Sequence, residues 1–584
     1  MSRRGGAWRH NLLFGLLMVA VVAMGARLAL LIRDRPSNVT DRIRRQQEMV
    51  IPLPARPGNV YTRTHSRDVL LAGSRQVPSC FADPGLLSDE ELPAVVDDVA
   101  DVLDVSAEKV LNRIQRRRQS RFVWLSREIS DAQAEAIRDL NIPAVGITHE
   151  WRRNYPNGEL AGNVIGFRRI DGVAGSGLEL ALDEHLQPRT GRQVLLADAS
   201  RRPIWPLAAR SRPPRDGQHV FTTLDMVIQG YLTDAVAESV QEHRAEWGTG
   251  IVINPRTGEI LAMCSVPGFD PNNYNTSDPQ SRTNRAVSTP FEPGSVLKPL
   301  FAAAAVQFGE ASYDTRIFCE NGVYHARRGG RITDHGESHG ELTVAEGVIH
   351  SSNILMAKLG ERIGNRRLYA TARRFGIGSR TGVALPGESR GILRPLEKWD
   401  GYSTRRVPFG QEVSVTTVQL AYAFGAIANG GLLMEPVLID HVNDASGESV
   451  YRNEPQVARR VLSPEVSAET LKVLRRVVTE GTGGACRLEN WSSFGKTGTA
   501  QVPGEGGYVD GAYVGSFVGG APASDPKLLV VVSIYRPDAS RGYYGSKVAA
   551  PYVKRVLERS LSYLGVPPDR PGRTARTAAG WARR

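Results

Sequence analysis

From Asn11 to Ile32 the chain is apolar at nearly every position, "NLLFGLLMVAVVAMGARLALLI", with Arg27 as its single charge. A bilayer core takes about 20 such residues. The pattern therefore predicts one membrane-spanning helix over 11–32, its Arg27 side chain reaching the outer interface. Cleavage after Ala26 would leave Met24 where signal peptidase favours a small residue, so the segment reads as an uncleaved anchor. Residues 1–10, "MSRRGGAWRH", then form a cytoplasmic tail. Arginines also follow the span, so charge does not fix its orientation, and large domains translocate largely regardless of such charges.

The apolar spacing over 33–215 is short and patchy. "SDEELPAVVDDVADVL" (88–103) and "SREISDAQAEAIRDL" (126–140) have helical period and polar N-terminal caps. "RIQRRRQSR" (113–121) reads as a solvated basic helix face, and the Pro- and Arg-rich stretch 200–218 as a junction. Beyond it the pattern sharpens. "HVFTTLD" (219–225) reads as a strand, with Asp225 capping a helix that runs to about His243. Residues 248–267 read as a hairpin around an Asn-Pro-Arg-Thr-Gly turn, and "LFAAAAVQFG" (300–309) as a buried helix. A helix over 463–480 buries Leu471, Leu474 and Val478. Three late strands (494–502, 513–522 and 527–535) precede a closing helix over 547–564. This order predicts an α/β domain over 216–567: a mixed sheet covered by helices on both faces. The Arg/Gly/Ala-rich end, 568–584, predicts a disordered basic tail.

Composition changes this picture little. The 584 residues carry a net charge of +12, spread along the chain, and no helix-turn-helix, zinc-finger or aromatic RNA-binding pattern accompanies it. Nucleic acid is accordingly not expected as a partner. The four cysteines, Cys80, Cys264, Cys319 and Cys486, form no CxxC pair and predict buried free thiols. Lysine is scarce, nine of 73 basic residues, which makes its placement informative.

Ser-x-x-Lys occurs four times: at Ser106–Lys109, Ser524–Lys527 and Ser295–Lys298, and at Ser493–Lys496. Only the third, in "FEPGSVLKPL", has a Pro-Gly lead-in and an apolar helix behind it. A serine one turn from a buried lysine is a nucleophile beside a base, because burial and a neighbouring cation strip a lysine of its proton. Ser351-Ser352-Asn353 is the only Ser-x-Asn, and Lys496-Thr497-Gly498-Thr499 holds the only Lys-Thr-Gly. The competing reading makes Ser295 an N-cap, Ser351 a turn residue and Lys-Thr-Gly a strand end. "DHGESHG", with Asp334, His335, Glu337 and His339, lacks helical spacing because of Gly336 and Gly340; it reads as a polar loop rather than a metal site.

The ordered trio resembles the motif set of penicillin-binding proteins and related β-lactamases. From Met1 to about Arg570 the chain is similar to class B penicillin-binding proteins, the monofunctional peptidoglycan transpeptidases. "ARPGNVYTRTHSRDVLLAGS" (55–74) resembles their Arg-Gly-x-Ile-x-Asp-Arg-x-Gly segment, departing at Pro57 and Thr62. "RRNYPNGELAGNVIGF" (152–167) and "GSGLELALDEHLQPRTG" resemble pedestal elements, and "GQEVSVTTVQLAYAFGAIANGG" (410–431) a transpeptidase helix region.

The resemblance implies an irregular α+β pedestal, or dimerisation-like domain, over 33–215 and a transpeptidase domain over 216–567. It implies D-Ala-D-Ala transpeptidation with no cofactor and no metal. Ser295 attacks, Lys298 takes its proton, Ser351 relays a proton, and Asn353 orients Lys298 and a substrate amide. Lys496 supplies a cation, Thr497 and Thr499 bind the substrate carboxylate, and Gly498 permits close approach. The backbone N–H groups of Ser295 and Thr499 form the oxyanion hole. The implied partners are peptidoglycan stem peptides, β-lactams, a membrane-embedded glycan polymerase, other divisome proteins and a second copy of the chain. The implied location is the inner (cytoplasmic) membrane, single-pass, with the catalytic domain on the periplasmic or extracytoplasmic side. The compact C-terminal end favours a septal role over an elongation role. A D,D-carboxypeptidase, a β-lactam-hydrolysing relative, or a catalytically silent wall-synthesis scaffold are the alternatives; Glu388 in "PGESRG" matches a deacylating glutamate poorly.

Overall fold

The computed structural model describes residues 6–33, 47–198, 203–326, 330–336 and 338–570. Residues 1–5 of the expected tail, the stretch 34–46, Glu337 and the C-terminal 571–584 lie outside the described residues. Gly6–Arg33 forms a single helix. Its Trp8–Arg33 part, 26 residues containing an 18-residue stretch of mean hydropathy 2.3, is long and apolar enough to cross a membrane. At ~1.5 Å per residue it exceeds the ~30 Å hydrocarbon core.

The chain divides into two compact units: Met1–Arg56 with Pro188–Asp216, and Pro57–Gln187 with Gly217–Arg584. In the first, Gly191–Ala197 is the middle strand of an antiparallel sheet, flanked by Glu48–Leu53 and Pro203–Pro206.

The second unit is built on a five-stranded sheet. Its strands lie in the order Ile260–Val266, Trp247–Ile253, Leu528–Tyr535, Gly507–Ala521, Phe494–Gly504, antiparallel throughout. Both faces are covered, which is why its strands read as continuous apolar runs. Alternate residues face opposite ways. Val252, Val530 and Val532 meet the helices Met226–Glu242 and Ala550–Tyr563, whereas Ile251, Leu529 and Val531 meet the core around Lys298–Gln307, Asn353–Ile363 and Thr417–Ala428. Asp225 caps Met226–Glu242 as expected, accepting from the N–H groups of Val227 and Ile228 at 2.9 and 3.1 Å. All four cysteines are buried and free, and burial pushes the Cys80 and Cys264 thiols up to about 12.

A second, seven-stranded sheet carries the mixed pairing: Val60–Arg63 runs parallel to His219–Asp225 and antiparallel to Asp68–Ala82. Thr62, where the family segment has aspartate, is a buried strand residue whose hydroxyl donates to Leu224 O at 2.6 Å. From Gly73 to Ala82, the Asp68–Ala82 strand also pairs with Val145–Asn154. The expected helix over 126–140 begins only at Ser130, whose side chain forms a capping box with Gln133; Ser126 ends a strand instead.

The two pedestal segments meet in a buried ion network. Glu179 accepts from Arg153 Nε at 2.5 Å, Arg168 Nε at 3.1 Å and Tyr155 OH at 3.3 Å, and both arginines are almost fully buried. Removing the shared carboxylate leaves buried Arg153 without a carboxylate partner and Arg168 with Asp183 alone, at 2.7 Å. Glu179→Ala is expected to destabilise the protein by about 3–5 kcal/mol. Equilibrium urea unfolding followed by fluorescence reads this; a loss below about 1 kcal/mol would mean that the network is dispensable.

Candidate active site

Ser295 lies in a 3-10 turn, Gly294–Leu297, which feeds the α-helix Lys298–Gln307. In 3-10 geometry side chains three apart eclipse, so Ser295 and Lys298 share a face. Gly294 makes the entry with φ +56, donates its N–H to Gly410 O at 3.1 Å, and would bring a Cβ to 2.8 Å from Thr499 O. The Ser295 side chain caps no helix end, unlike Ser106, whose hydroxyl accepts from Lys109 N, and Ser352, which accepts from Leu355 N. Ser524 and Lys527 are spent on Asp569 and Asp525. Ser493 donates to Cys486 O at 2.9 Å. Among the four Ser-x-x-Lys pairs, the one with the Pro-Gly lead-in is thus the one whose serine has no partner among the described residues.

Lys298 is fully buried. Its Nζ donates to Ser351 O, to Asn353 Oδ1 at 2.8 Å, and lies 3.2 Å from Ser351 Oγ. Lys496, also fully buried, donates to the same Ser351 Oγ at 3.0 Å. One hydroxyl therefore bridges two lysines. Burial holds Lys298 well below the ordinary lysine range; the Lys496 charge adds to this and Asp334 opposes it. Burial also lowers Lys496 to about 7. A neutral amine keeps two donors and one lone pair. Ser351 O and Asn353 Oδ1 take the donors, leaving the lone pair for a serine hydroxyl.

Ser351 holds this place at φ +64, in the left-handed region that a serine enters only under constraint. The constraint comes from Asp334. Its carboxylate accepts from Ser352 Oγ at 2.7 Å, Asn353 N at 2.6 Å and Ile354 N at 3.1 Å, so it sits on the N-terminus of Asn353–Ile363. Asn353 Nδ2 donates to Thr333 O at 2.9 Å. One of its hydrogens remains for a substrate carbonyl.

Phe494–Gly504 is the edge strand beside this turn. Within a strand a residue's N–H and C=O point to the same side. Thr499 O approaches Gly294, so Thr499 N–H also faces the Ser295 turn. A Cβ on Gly498 would lie 2.4 Å from Val296 Cγ2 and 2.7 Å from Pro293 O. The glycine thus makes room for the Ser295 turn itself. Gly498→Ala is expected to push strand and turn apart and slow acylation about 100-fold; stopped-flow labelling with a fluorescent penicillin measures it, and an unchanged rate would refute the close-approach argument.

A cavity of about 200 Å3 opens here, lined by Ser295, Asn353, Thr499 and Gln501. Its far wall is a stack of tyrosines: Tyr513 on Tyr543 at 4.0 Å and Tyr543 on Tyr544 at 4.4 Å between ring centres. The site brings together all eight residues singled out from sequence, with two different outcomes for the threonines. Thr499 lines the cavity and accepts from Gly545 N at 3.2 Å, whereas the Thr497 hydroxyl meets Thr482 Oγ1 at 2.8 Å and Lys496.

Comparisons with known proteins identify the family. A model of the penicillin-binding protein transpeptidase domain matches residues 248–558, more than half of the chain, and one of the penicillin-binding protein dimerisation domain matches 52–222. The chain belongs to the class B penicillin-binding proteins. It is 34% identical to penicillin-binding protein PbpB of Mycolicibacterium smegmatis, over 82% of this chain and 75% of that protein. To peptidoglycan D,D-transpeptidase FtsI of Escherichia coli it is 27% identical, over 96% and 93%. Among solved structures, penicillin-binding protein 3 of Mycobacterium tuberculosis in complex with aztreonam superposes with a TM-score of 0.68 at 28% identity, covering 89% of this chain and 99% of that one.

Asp334 and the three tyrosines were not among the residues singled out. Asp334 lies nineteen residues before Asn353, with a strand and a helix in between, so no local capping signal marked it and it read as part of a polar loop. His335 of the same loop lines the cavity, and His339 stacks near His350 at 5.3 Å. Glu388 is tied into its own loop, accepting from Thr381 N, Thr381 Oγ1 and Gly382 N. Buried Glu292, next to the Pro-Gly pair, accepts from Tyr508 OH at 2.9 Å and Glu412 N at 3.0 Å, which braces the loops around Ser295.

Proposed function

We propose that Ser295 forms the acyl-enzyme of a D-Ala-D-Ala transpeptidase with Lys298 as its base. The observation that carries this is the single Ser351 hydroxyl shared by two buried lysines beside an unoccupied serine. Lys298 accepts the Ser295 proton as Oγ bonds to the carbonyl carbon of the penultimate D-alanine. The oxyanion sits between the N–H groups of Ser295 and Thr499. As the C–N bond breaks, the proton passes through Ser351 to the leaving D-alanine. An amine from a neighbouring stem peptide then attacks the ester; Lys298 takes its proton and returns it to Ser295 Oγ as the ester C–O bond breaks. Lys496 and Thr499 draw in the substrate carboxylate, Thr497 supports Lys496 from the side, and Asn353 holds the substrate amide. β-Lactams acylate the same serine.

The chain works as a single-pass protein of the cytoplasmic membrane, with 216–567 on the extracytoplasmic side and 33–215 as its pedestal. The resemblance of its 410–431 region and C-terminal end favours septal synthesis beside a membrane-embedded glycan polymerase and other divisome proteins, with a second copy of the chain as a further partner.

Detergent-solubilised full-length protein, given a stem-peptide thioester donor and a labelled D-amino acid acceptor, should yield acceptor-bearing product in excess of hydrolysis product. Hydrolysis alone would make it a carboxypeptidase, and absence of a labelled-penicillin adduct a scaffold. Depletion should give division-blocked cells; rounded cells would assign it to elongation.

A further inference from the structure

Residues 109–127 contain seven cations, Lys109, Arg113, Arg116, Arg117, Arg118, Arg121 and Arg127, and no carboxylate. The expectation from sequence was a solvated helix face. The structure divides the run differently. Arg118 pairs with Asp89, Arg121 with Asp83, and Arg127 with Glu150. Arg113 donates to Leu125 O. Among the described residues, the side chains of Arg116 and Arg117 have no carboxylate or hydrogen-bond partner.

Arg116 and Arg117 are exposed, and both line one cleft. The end of the helix Ala107–Arg116, the strand Val123–Ser126 and the loop at Ile170 enclose a cleft of about 590 Å3, lined by Arg113, Arg116, Arg117, Trp124 and Arg127. The size suits one or two sugar rings and exceeds what a lone phosphate needs. Cations at a helix C-terminus are favourable, but that effect is confined to the last turn and does not account for four arginines, Arg127 from a neighbouring strand end among them, lining one cavity. The cleft wall is aromatic. Arg127 stacks on Trp124 at 5.0 Å, and exposed Phe122 stands edge-on to Trp124 at 4.7 Å and flat against Phe81 at 4.8 Å. Stacked, bonded guanidiniums are pre-organised, and free ones match carboxylate or phosphate with two parallel bonds.

We propose that this cleft binds an anionic saccharide, pyranose rings bearing carboxylate or phosphate, with Arg116 and Arg117 on the charge and Trp124, braced from behind by Phe122, against a ring. The site lies in the pedestal and is independent of the acyl chemistry.

The test titrates full-length protein in detergent with three probes: tetragalacturonate for carboxylate, glucose 1,6-bisphosphate for phosphate, and chitotetraose as a neutral glycan. At least one anionic probe should bind at least tenfold more tightly than chitotetraose, and the stronger of the two identifies the charge. Arg116→Gln with Arg117→Gln should weaken that probe at least tenfold while labelled-penicillin acylation stays unchanged. Lys109→Gln with Arg75→Gln, an equal loss of charge on exposed residues outside the cleft, should weaken it less than twofold. The proposal is overturned if neither anionic probe outbinds chitotetraose, or if the two double variants weaken binding equally, which would reduce the effect to overall charge.

Discussion

Ser295→Ala should give a protein that folds as the wild type does and forms no adduct with labelled penicillin. The side chain is half-buried and caps no helix end, so its loss should move stability by no more than about 0.5 kcal/mol. The chemistry, by contrast, loses its only covalent partner. Removing the nucleophile from a serine acyl-transfer machine costs on the order of 10^6 in turnover. The measurement pairs gel fluorography after labelling with a thermal melt of the same preparation. An adduct of undiminished yield on the variant would move the nucleophile elsewhere, with Ser351 the next hydroxyl in reach of Lys298.

The catalytic half of the site was legible because each motif combines a chemical group with the backbone feature that places it. Gly294 and Gly498 stand where a side chain would collide with Thr499 O or with the Pro293–Val296 turn, so the glycines in the motifs report close packing of turn and strand. The tyrosine wall was not legible, because it is assembled in three dimensions: Tyr513 comes from a strand, Tyr543 and Tyr544 from a loop thirty residues later. Asp334 was visible only as part of a polar loop, since its role depends on the fold of the loop that carries it.

The pedestal was the least legible part for a similar reason. Asp68–Ala82 changes partners along its length, pairing on one side first with Val60–Arg63 and then with Val123–Ser126. Its burial therefore loses the twofold alternation by which a strand is read, and Pro78 falls inside it. The transpeptidase strands escaped this problem because both of their faces are buried along most of their length.

Lys298→Arg should fold and fail to acylate. Arginine fills a similar volume but stays protonated throughout the working pH range, so it cannot accept the Ser295 proton. Loss of the base should cost about 10^3-fold or more in the acylation rate. Lys496→Arg should be milder, since a fixed cation serves there. The wild-type pH profile provides the internal check. Lys298 is held below the ordinary lysine value, so acylation should fall as pH drops through that lowered pKa; Lys496 at about 7 should lose its charge, and its pull on a substrate carboxylate, as pH rises past 7. The sign for stability follows from the same shifts. Each folded-state pKa lies below its unfolded value, so the unfolded chain binds more protons between the two and stability rises with pH across that interval. Every unit of depression therefore costs about 1.4 kcal/mol at acid pH, the stability this site gives up to keep an amine neutral. Chemical rescue separates a base from a merely structural lysine. Lys298→Ala should regain acylation in methylamine, with a rate that follows the free-amine concentration as pH rises. A Lys298→Arg protein that acylates at nearly the wild-type rate, or a rescue indifferent to pH, would remove Lys298 as the base and leave Ser351, bonded to Lys496, to take that part.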